Sequence, residues 1–509
     1  MAAARASRPS RAGFRGGFRS GFRAGAYRFL VYALFIASTF TIAGSETSII
    51  LLMALALSDP LLWRWLRTGQ PPAALPYGGQ SPPAWTWAVF VALTASALIS
   101  AVLNPGVLVA LNDMRYHYRL FLPLVLVLAL PHVSLPRLFG TFAVFVAVWA
   151  LYGVIQYRYG VDWFRPEGRK LVTPYGDEGV FHAKGEFTHH ITYGGVMLMA
   201  TVFLLALASG RASAEGAAGP RLRALWGLGA AMGALATLLS LARSAWFGMM
   251  LGTLVLVVLR LPRRWAVSMA LLGALAVAGY ATLVLQQTWL RDHIELEDAP
   301  PLVQRLLSTS LKYDVDRLRL WQAGWLAVQD RPWFGAGMGH TGPVFEPYRD
   351  LISQRTGYWY QLGASAGVHN IYLQVGFDLG AVGLAAYLAV WAAAFAWSAQ
   401  ALRALGARGA GLLGAGLPGA DGPDAGLPGA GLYRAVLEGC IAGLAGSMGA
   451  GLFENNAYDK EVQEVILMLM GLALFVGLRI RAARGRSGRS WGAHLYPNYA
   501  GARDRAPGE

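Results

Sequence analysis

His369 is the sharpest candidate for acid–base chemistry in this chain. With Asn370 it closes a polar segment that begins near Gln287. An unperturbed imidazole changes charge close to neutral pH, which suits a general base taking a proton from an attacking hydroxyl, typically worth about 10²–10⁴-fold in rate. Asn370 stands beside it and could orient the ring. Two arginines offer the complementary chemistry: Arg317, one helical turn before Trp321, and Arg243, between two apolar runs in Ser240-Leu241-Ala242-Arg243-Ser244. A guanidinium binds phosphate oxygens through paired hydrogen bonds, each charged bond contributing about 1.5–3 kcal/mol. Blander readings stand beside these. Arg317 could pair at the surface with Asp314 or Asp316, and Arg243 could snorkel from a tight helical hairpin. Asp314-Val315-Asp316 has a spacing that can ligate a divalent cation on a nucleotide diphosphate, but the pattern is short and arginines follow at once.

A second rank holds Arg319, Asn370, His189, His190, Arg165 and Arg169 as possible substrate-binding groups. His189 and His190 precede an apolar run; together with His182 they lack the spacing of a zinc site, because adjacent histidines on a helix point apart. Arg158, Lys170 and Lys184 join Arg165 and Arg169 as cations that could steer an anionic substrate. Tyr358, Trp359 and Tyr360 could stack on sugar rings or sit at a membrane interface. Glu454, just past an apolar run, is a rival base.

The elements that must position these groups are membrane helices. Of 509 residues, 55% are hydrophobic and 14% charged, with a mean hydropathy of +0.42. Soluble domains carry about 25% charged residues. Crossing the hydrocarbon core takes about 20 apolar residues per helix. About twelve such runs occur, near 28–43, 47–66, 85–103, 117–130, 138–157, 191–209, 224–242, 244–260, 265–285, 370–399, 433–453 and 462–480. Their unbroken apolarity excludes an outer-membrane barrel, whose strands alternate.

The fold expected is therefore an all-α polytopic membrane protein with a single transmembrane domain over 28–480. Basic tails at 1–27 and 481–509 flank it, and a Gly-rich linker lies at 403–432. Arginines at both ends place both termini in the cytoplasm by the positive-inside rule. Alternation then puts Arg64, Arg67, Arg137, Arg211, Arg221, Arg223, Arg260, Arg263, Arg264, Arg403 and Arg408 on the same side. The first apolar run reads as an anchor and not a cleaved signal, since further spans follow. The opposite side receives segments 158–190 and 287–369. A loop of some eighty residues is far longer than usual and points to function. Within it, Asp316 to Gln329 reads as a short amphipathic helix with Leu318, Trp321, Trp325 and Val328 on one face. The charge of +15 is spent on the membrane flanks, so no nucleic-acid partner is expected. Cys440 is the only cysteine, so an intramolecular disulfide is excluded.

Taken in order, Leu241-Ala242-Arg243, Arg317-Leu318-Arg319-Leu320-Trp321, Arg331-Pro332-Trp333-Phe334-Gly335-Ala336-Gly337 and His369-Asn370-Ile371-Tyr372-Leu373-Gln374, with Gly380 and Gly383, resemble the O-antigen ligase family. The relatives of that family are the O-antigen polymerases and the protein O-oligosaccharyltransferases. The resemblance covers roughly Phe187 to Tyr387. It implies a GT-C-like glycosyltransferase in the bacterial inner membrane, with a large periplasmic loop containing short helices. The implied donor is an O-antigen on undecaprenyl diphosphate and the implied acceptor a sugar hydroxyl of lipid A–core, with membrane lipids around both. Carried over by position, Arg243 and Arg317 would bind the diphosphate and His369 would activate the acceptor. Attack would invert the anomeric centre. Diphosphate is a good leaving group, so no metal or other cofactor is expected. With no large soluble domain expected after Ile480, ligase or polymerase fits better than protein oligosaccharyltransferase. A transporter or flippase would instead show charges near the midplane and internal repeats.

Overall fold

The computed structural model describes residues 11–39, 41–68, 84–164, 179–210, 219–262, 311–339, 341–357, 367–410, 429–455 and 458–485, with a few positions between them. The described residues are almost entirely helical. The helices are α1 (Arg11–Ala37), α2 (Ile42–Leu57), α3 (Pro60–Thr68), α4 (Ala84–Leu103), α5 (Val107–Met114), α6 (Leu122–Ala129), α7 (Leu135–Tyr159), α8 (His190–Ser209), α9 (Pro220–Leu239), α10 (Arg243–Arg260), α11 (Leu311–Asp330), α12 (Thr341–Thr356), α13 (Ile371–Ala410), α14 (Ala430–Ala450) and α15 (Lys460–Gly485). One two-residue strand pair joins Pro174–Tyr175 to Val180–Phe181.

Seven described helices (α4, α7, α8, α9, α10, α13 and α15) are long and apolar enough to cross a membrane, and Ala43–Leu57 is a shorter apolar helix. The expected span at 265–285 falls largely outside the described residues, as do most of the Gly-rich linker, residues 1–10 and residues 486–509. In the central helices α8 and α15, 83% and 89% of the apolar window is buried, whereas in α4 and α10 it is 33%. The first pair therefore forms the core and the second faces lipid. Close approach needs small residues, because lipid gives apolar side chains no reason to leave it. α10 meets α14 at Gly248 and Gly446, where a Cβ on either would come within 2.5 Å of the other's carbonyl oxygen.

The helix ends sort into two faces. One gathers the guanidiniums: Arg28 donates to the His132 carbonyl, Arg223 to that of Ala208, Arg260 to Glu438, Ser209 and Ala206, and Arg479 to Tyr433. The other gathers the ends of α4, α7, α9 and α14 and the starts of α8, α10, α13 and α15, and α11 lies against it.

Two expected spans are broken. The run at 117–130 is interrupted by 3-10 turns at Arg115–Phe121 and Leu130–His132 on either side of α6. Pro123 and Pro131 each lack the amide hydrogen that an α-helix uses, and buried Arg119 is drawn into ion pairs with Glu46 and Glu464. The second break is in α13, where Gly380 takes φ 67° and ψ −169°.

That break explains Arg331-Pro332-Trp333-Phe334-Gly335-Ala336-Gly337. Opening the helix frees the carbonyls of Phe377 and Asp378 and the amides of Ala381 and Val382. The segment after α11 pairs with all four: Ala336 N–H donates to Phe377 (2.7 Å), Gly337 to Asp378 (2.9 Å), Ala381 to Pro332 (2.7 Å) and Val382 to Trp333 (3.3 Å). Gly335 and Gly380 sit at the contact, where a Cβ would lie about 2.3–2.6 Å from backbone atoms of the other strand. The Ser100 hydroxyl donates to the Phe334 carbonyl and, at 2.9 Å, stands beside that of Asp378 as well. The motif is a clasp that fixes the end of α11 against α13.

α11 keeps its bulky apolar face outward and packs through a different one. Asp316, Leu320, Ala323 and Ala327 are buried, whereas Leu318 and Trp325 are 44% and 55% exposed. Small residues suit the contact with α13, and the bulky ones are left for an interface.

Candidate active site

His369 is the residue immediately before the cap of α13. Asn370 supplies the cap: its Oδ1 accepts the amides of Tyr372 and Leu373, both at 3.0 Å, a strong helix-start arrangement. Asn370 therefore does not orient the imidazole, as the sequence suggested. It fixes the backbone from which His369 departs, and His369 adopts φ +52°. A non-glycine residue in that region is held by its surroundings at a cost of about 1–3 kcal/mol. The surroundings are visible. The Trp321 indole on α11 donates to the His369 carbonyl at 3.1 Å, the Val368 amide donates to Gln374 Oε1 at 2.9 Å, and the Asn370 amide donates to Asn455 Oδ1 at 2.9 Å.

Orientation of the ring comes from Glu454. Its side chain is 3% exposed, and its two oxygens serve different partners: Oε1 accepts from the Arg317 guanidinium and Oε2 lies 2.8 Å from His369 Nδ1. Burial pushes the Glu454 carboxyl up, but the Arg317 charge and the His369 hydrogen bond outweigh it and hold the group below the ordinary carboxylate range. An ionised carboxylate only accepts, so Nδ1 carries the proton and Nε2 is left as the basic nitrogen. Among the described residues the partner of Arg317 is Glu454, where the sequence offered Asp314 or Asp316. Asp316 is fully buried on the inner face of α11, and the Asp314 side chain lies outside the described residues.

Arg243 opens α10 and is half-buried. One turn on, Phe247 packs edge-on against Phe453 at 5.5 Å, and Phe453 packs against Trp321 at 6.2 Å. These rings bring the start of α10 to the Arg317–Glu454–His369 cluster. The turn feeding it is also held in an uncommon conformation, with Leu241 at φ +55°. His190 begins α8, its ring 4.2 Å from that of His182, and its charge is felt by Glu454. His189 is exposed at the cap position of α8. Four helix N-termini (α8, α10, α13 and α15) thus point to one place, and each carries partial positive charge that favours an anion.

The remaining candidates scatter. Arg319 hydrogen-bonds Gln322 on its own helix. Lys184 is buried and paired with Asp162 at 2.9 Å, which removes it from any steering role. Arg165, Arg169, Lys170 and Tyr358 lie outside the described residues. Trp359 is 77% exposed, and Tyr360 carries Arg349 over its face at 4.7 Å. No cluster of three or more metal-ligating side chains occurs among the described residues.

The sequence did not single out Asn455 or Asp459, and offered Gln374 only within the motif that begins at His369. Asn455 joins Asn370 to Gln374, to which its amide donates at 3.2 Å. Asp459 accepts from Thr192 at 2.6 Å, and burial lifts its carboxyl to about 7 despite that bond. The available signal was Glu454-Asn455 and Asp459 crowding the short link between two apolar runs. Beside Asn455 and Gln374 a cavity of about 430 Å³ descends between α13 and α15, polar at Asp459 and Gln463 and apolar at Trp391 and Met470.

Comparison with known proteins adds one match: residues 228–388 fit the family model described as O-Antigen ligase. No curated protein matches the chain. The matched segment holds Arg243, Arg317 and His369, and stops short of Glu454. Over that segment, about a third of its length, the chain is similar to the O-antigen ligase family.

Proposed function

We propose that this protein transfers a glycan from undecaprenyl diphosphate to a sugar hydroxyl of lipid A–core, at the periplasmic face of the bacterial inner membrane. It works as an inverting, metal-independent O-antigen ligase. The observation that carries the reading is Glu454 joined to both Arg317 and His369, which puts an anion-binding cation and an oriented base in one cluster.

In the reaction, His369 Nε2 takes the proton of the acceptor hydroxyl as its oxygen attacks the anomeric carbon. The bond from that carbon to the diphosphate oxygen breaks, and its electron pair leaves with the diphosphate. Negative charge grows on that oxygen, where Arg317, Arg243 and the converging helix ends oppose it more strongly in the transition state than in the ground state. Glu454 stabilises the imidazolium that forms. The arginine-rich opposite face is the cytoplasmic one on this reading.

The test is incubation of purified protein with undecaprenyl-diphosphate-linked O-antigen and lipid A–core, followed by product analysis. Glycosylated lipid A–core supports the reading. Elongation of the lipid-linked glycan alone would make the protein a polymerase, and neither product from donor-binding protein would overturn the assignment.

A further inference from the structure

The Glu454 carboxylate is one group with two clients. Arg317 reaches Oε1 from α11 and His369 reaches Oε2 from the start of α13, and burial keeps water from substituting for either. If the diphosphate binds Arg317, as in the function proposed above on which this inference rests, it competes with Glu454 for the same guanidinium. We propose that Glu454 is a positioning residue that couples the two substrates: donor binding draws Arg317 away from Glu454 and leaves the carboxylate wholly to His369. The base then reaches its working state only when a donor is seated.

The charged groups around the pair are consistent with this exchange. Arg317 comes from α11, His190 from α8, and Asp459 and Glu461 from the start of α15; the Asp459 carboxyl feels Glu461, Glu454 and His369. Arg243 begins α10, one turn before Phe247, whose ring packs on Phe453. Among the described residues Arg317 hydrogen-bonds through Nη2, one of its five donor hydrogens, so it can swing to a phosphate without breaking a network there. His369 has no such freedom, because Trp321, Gln374 and Asn455 fix the backbone on both sides of it. The mobile partner is the arginine and the fixed one is the base. Early loss of the acceptor proton without a donor would achieve nothing, and the shared carboxylate prevents it.

The coupling makes an unusual prediction for Glu454→Gln, which keeps the shape and removes the charge. Binding of undecaprenyl diphosphate without a glycan should tighten by about 3–10-fold, since its competitor for Arg317 is gone, while glycan transfer falls by about 10²-fold or more. A scaffold role alone would weaken both. The second measurement is the His369 Nδ1–H resonance in histidine-labelled protein. It should move when the wild type binds this probe, and should already stand at the moved position in probe-free Arg317→Ala. Probe binding to wild type with that resonance unmoved, or weaker binding by Glu454→Gln, would overturn the coupling alone. Failure of the wild type to bind the probe would overturn the diphosphate reading, and the coupling with it.

Discussion

Arg260 and Arg317 both meet a buried glutamate at the end of a membrane helix, on opposite faces of the bundle. All three nitrogens of the Arg260 guanidinium are engaged. It donates to Glu438 at 2.8 Å, to Ser209 at 2.7 Å and to the Ala206 carbonyl at 2.8 Å, closing the end of α8. Among the described residues Arg317 gives one hydrogen bond, to a carboxylate that also holds a histidine. An arginine with its donors engaged is a fastening for helix ends. One with donors to spare, beside an oriented imidazole, is equipped for an anionic substrate. Composition does not separate the two; the partners do.

Exchanging alanine for each should therefore produce opposite failures. Arg317→Ala should cut glycan transfer by about 10²–10³-fold, since preorganised charge is usually the largest catalytic contribution, with a small change in Tm because His369 remains to pair with Glu454. Arg260→Ala should leave Glu438 buried without its partner and lower stability by about 2–4 kcal/mol, less than for a fully buried pair because Arg260 is a quarter exposed. Its folded fraction should transfer at the wild-type rate. Thermal unfolding in detergent and initial rates on the same samples separate these outcomes.

The clasp lies between these extremes, because it is structural but positions α11 and with it Arg317. Gly380→Ala would place a Cβ 2.3 Å from the Trp333 carbonyl carbon at φ +67°. Strain of this kind costs about 1–3 kcal/mol, so both Tm and transfer should fall, the latter by about 10-fold. Retained transfer at lowered Tm would show that α11 is positioned by other contacts.

A smaller effect depends on pH. The Asp459 carboxyl, raised by burial to about 7, binds its proton more tightly folded than unfolded, so its contribution is complete below the unfolded value and is lost as pH rises through 7. Glu454, held low, acts in the opposite sense and loses its contribution as pH falls. Asp459→Asn keeps an acceptor for Thr192 and should raise Tm at pH 8 more than at pH 5, the gap amounting to at least about 1 kcal/mol. Equal shifts at both pH values would show that Asp459 does not titrate with folding. The smallest expected effect is none: EDTA should leave transfer unchanged. Loss in EDTA restored by a divalent cation would return attention to Asp314 and Asp316.

Much of this was legible in the sequence. Apolar length located the seven long helices, and Arg243, Arg317 and His369 were singled out by placing a charge or an imidazole where a span begins or a polar segment ends. Three things were not legible. The partner of Arg317 lies 137 residues away at Glu454, and no local pattern reveals a contact between the first turns of α11 and the segment after α14. The buried side of α11 includes Ala323, Gly324 and Ala327, small residues whose spacing carries no signal that they face a neighbour. The Pro-Trp-Phe-Gly run carries only the resemblance in one dimension, and its backbone pairing was hidden because its partner is a helix opened at Gly380.

The most direct test compares donor binding with transfer in His369→Ala. If His369 is the base, the variant should bind the lipid-linked donor within about 3-fold of wild type and transfer about 10²–10⁴-fold more slowly. Loss of donor binding, with transfer from the bound complex at the wild-type rate, would make His369 a donor-binding residue and contradict the division of roles between it and the arginines.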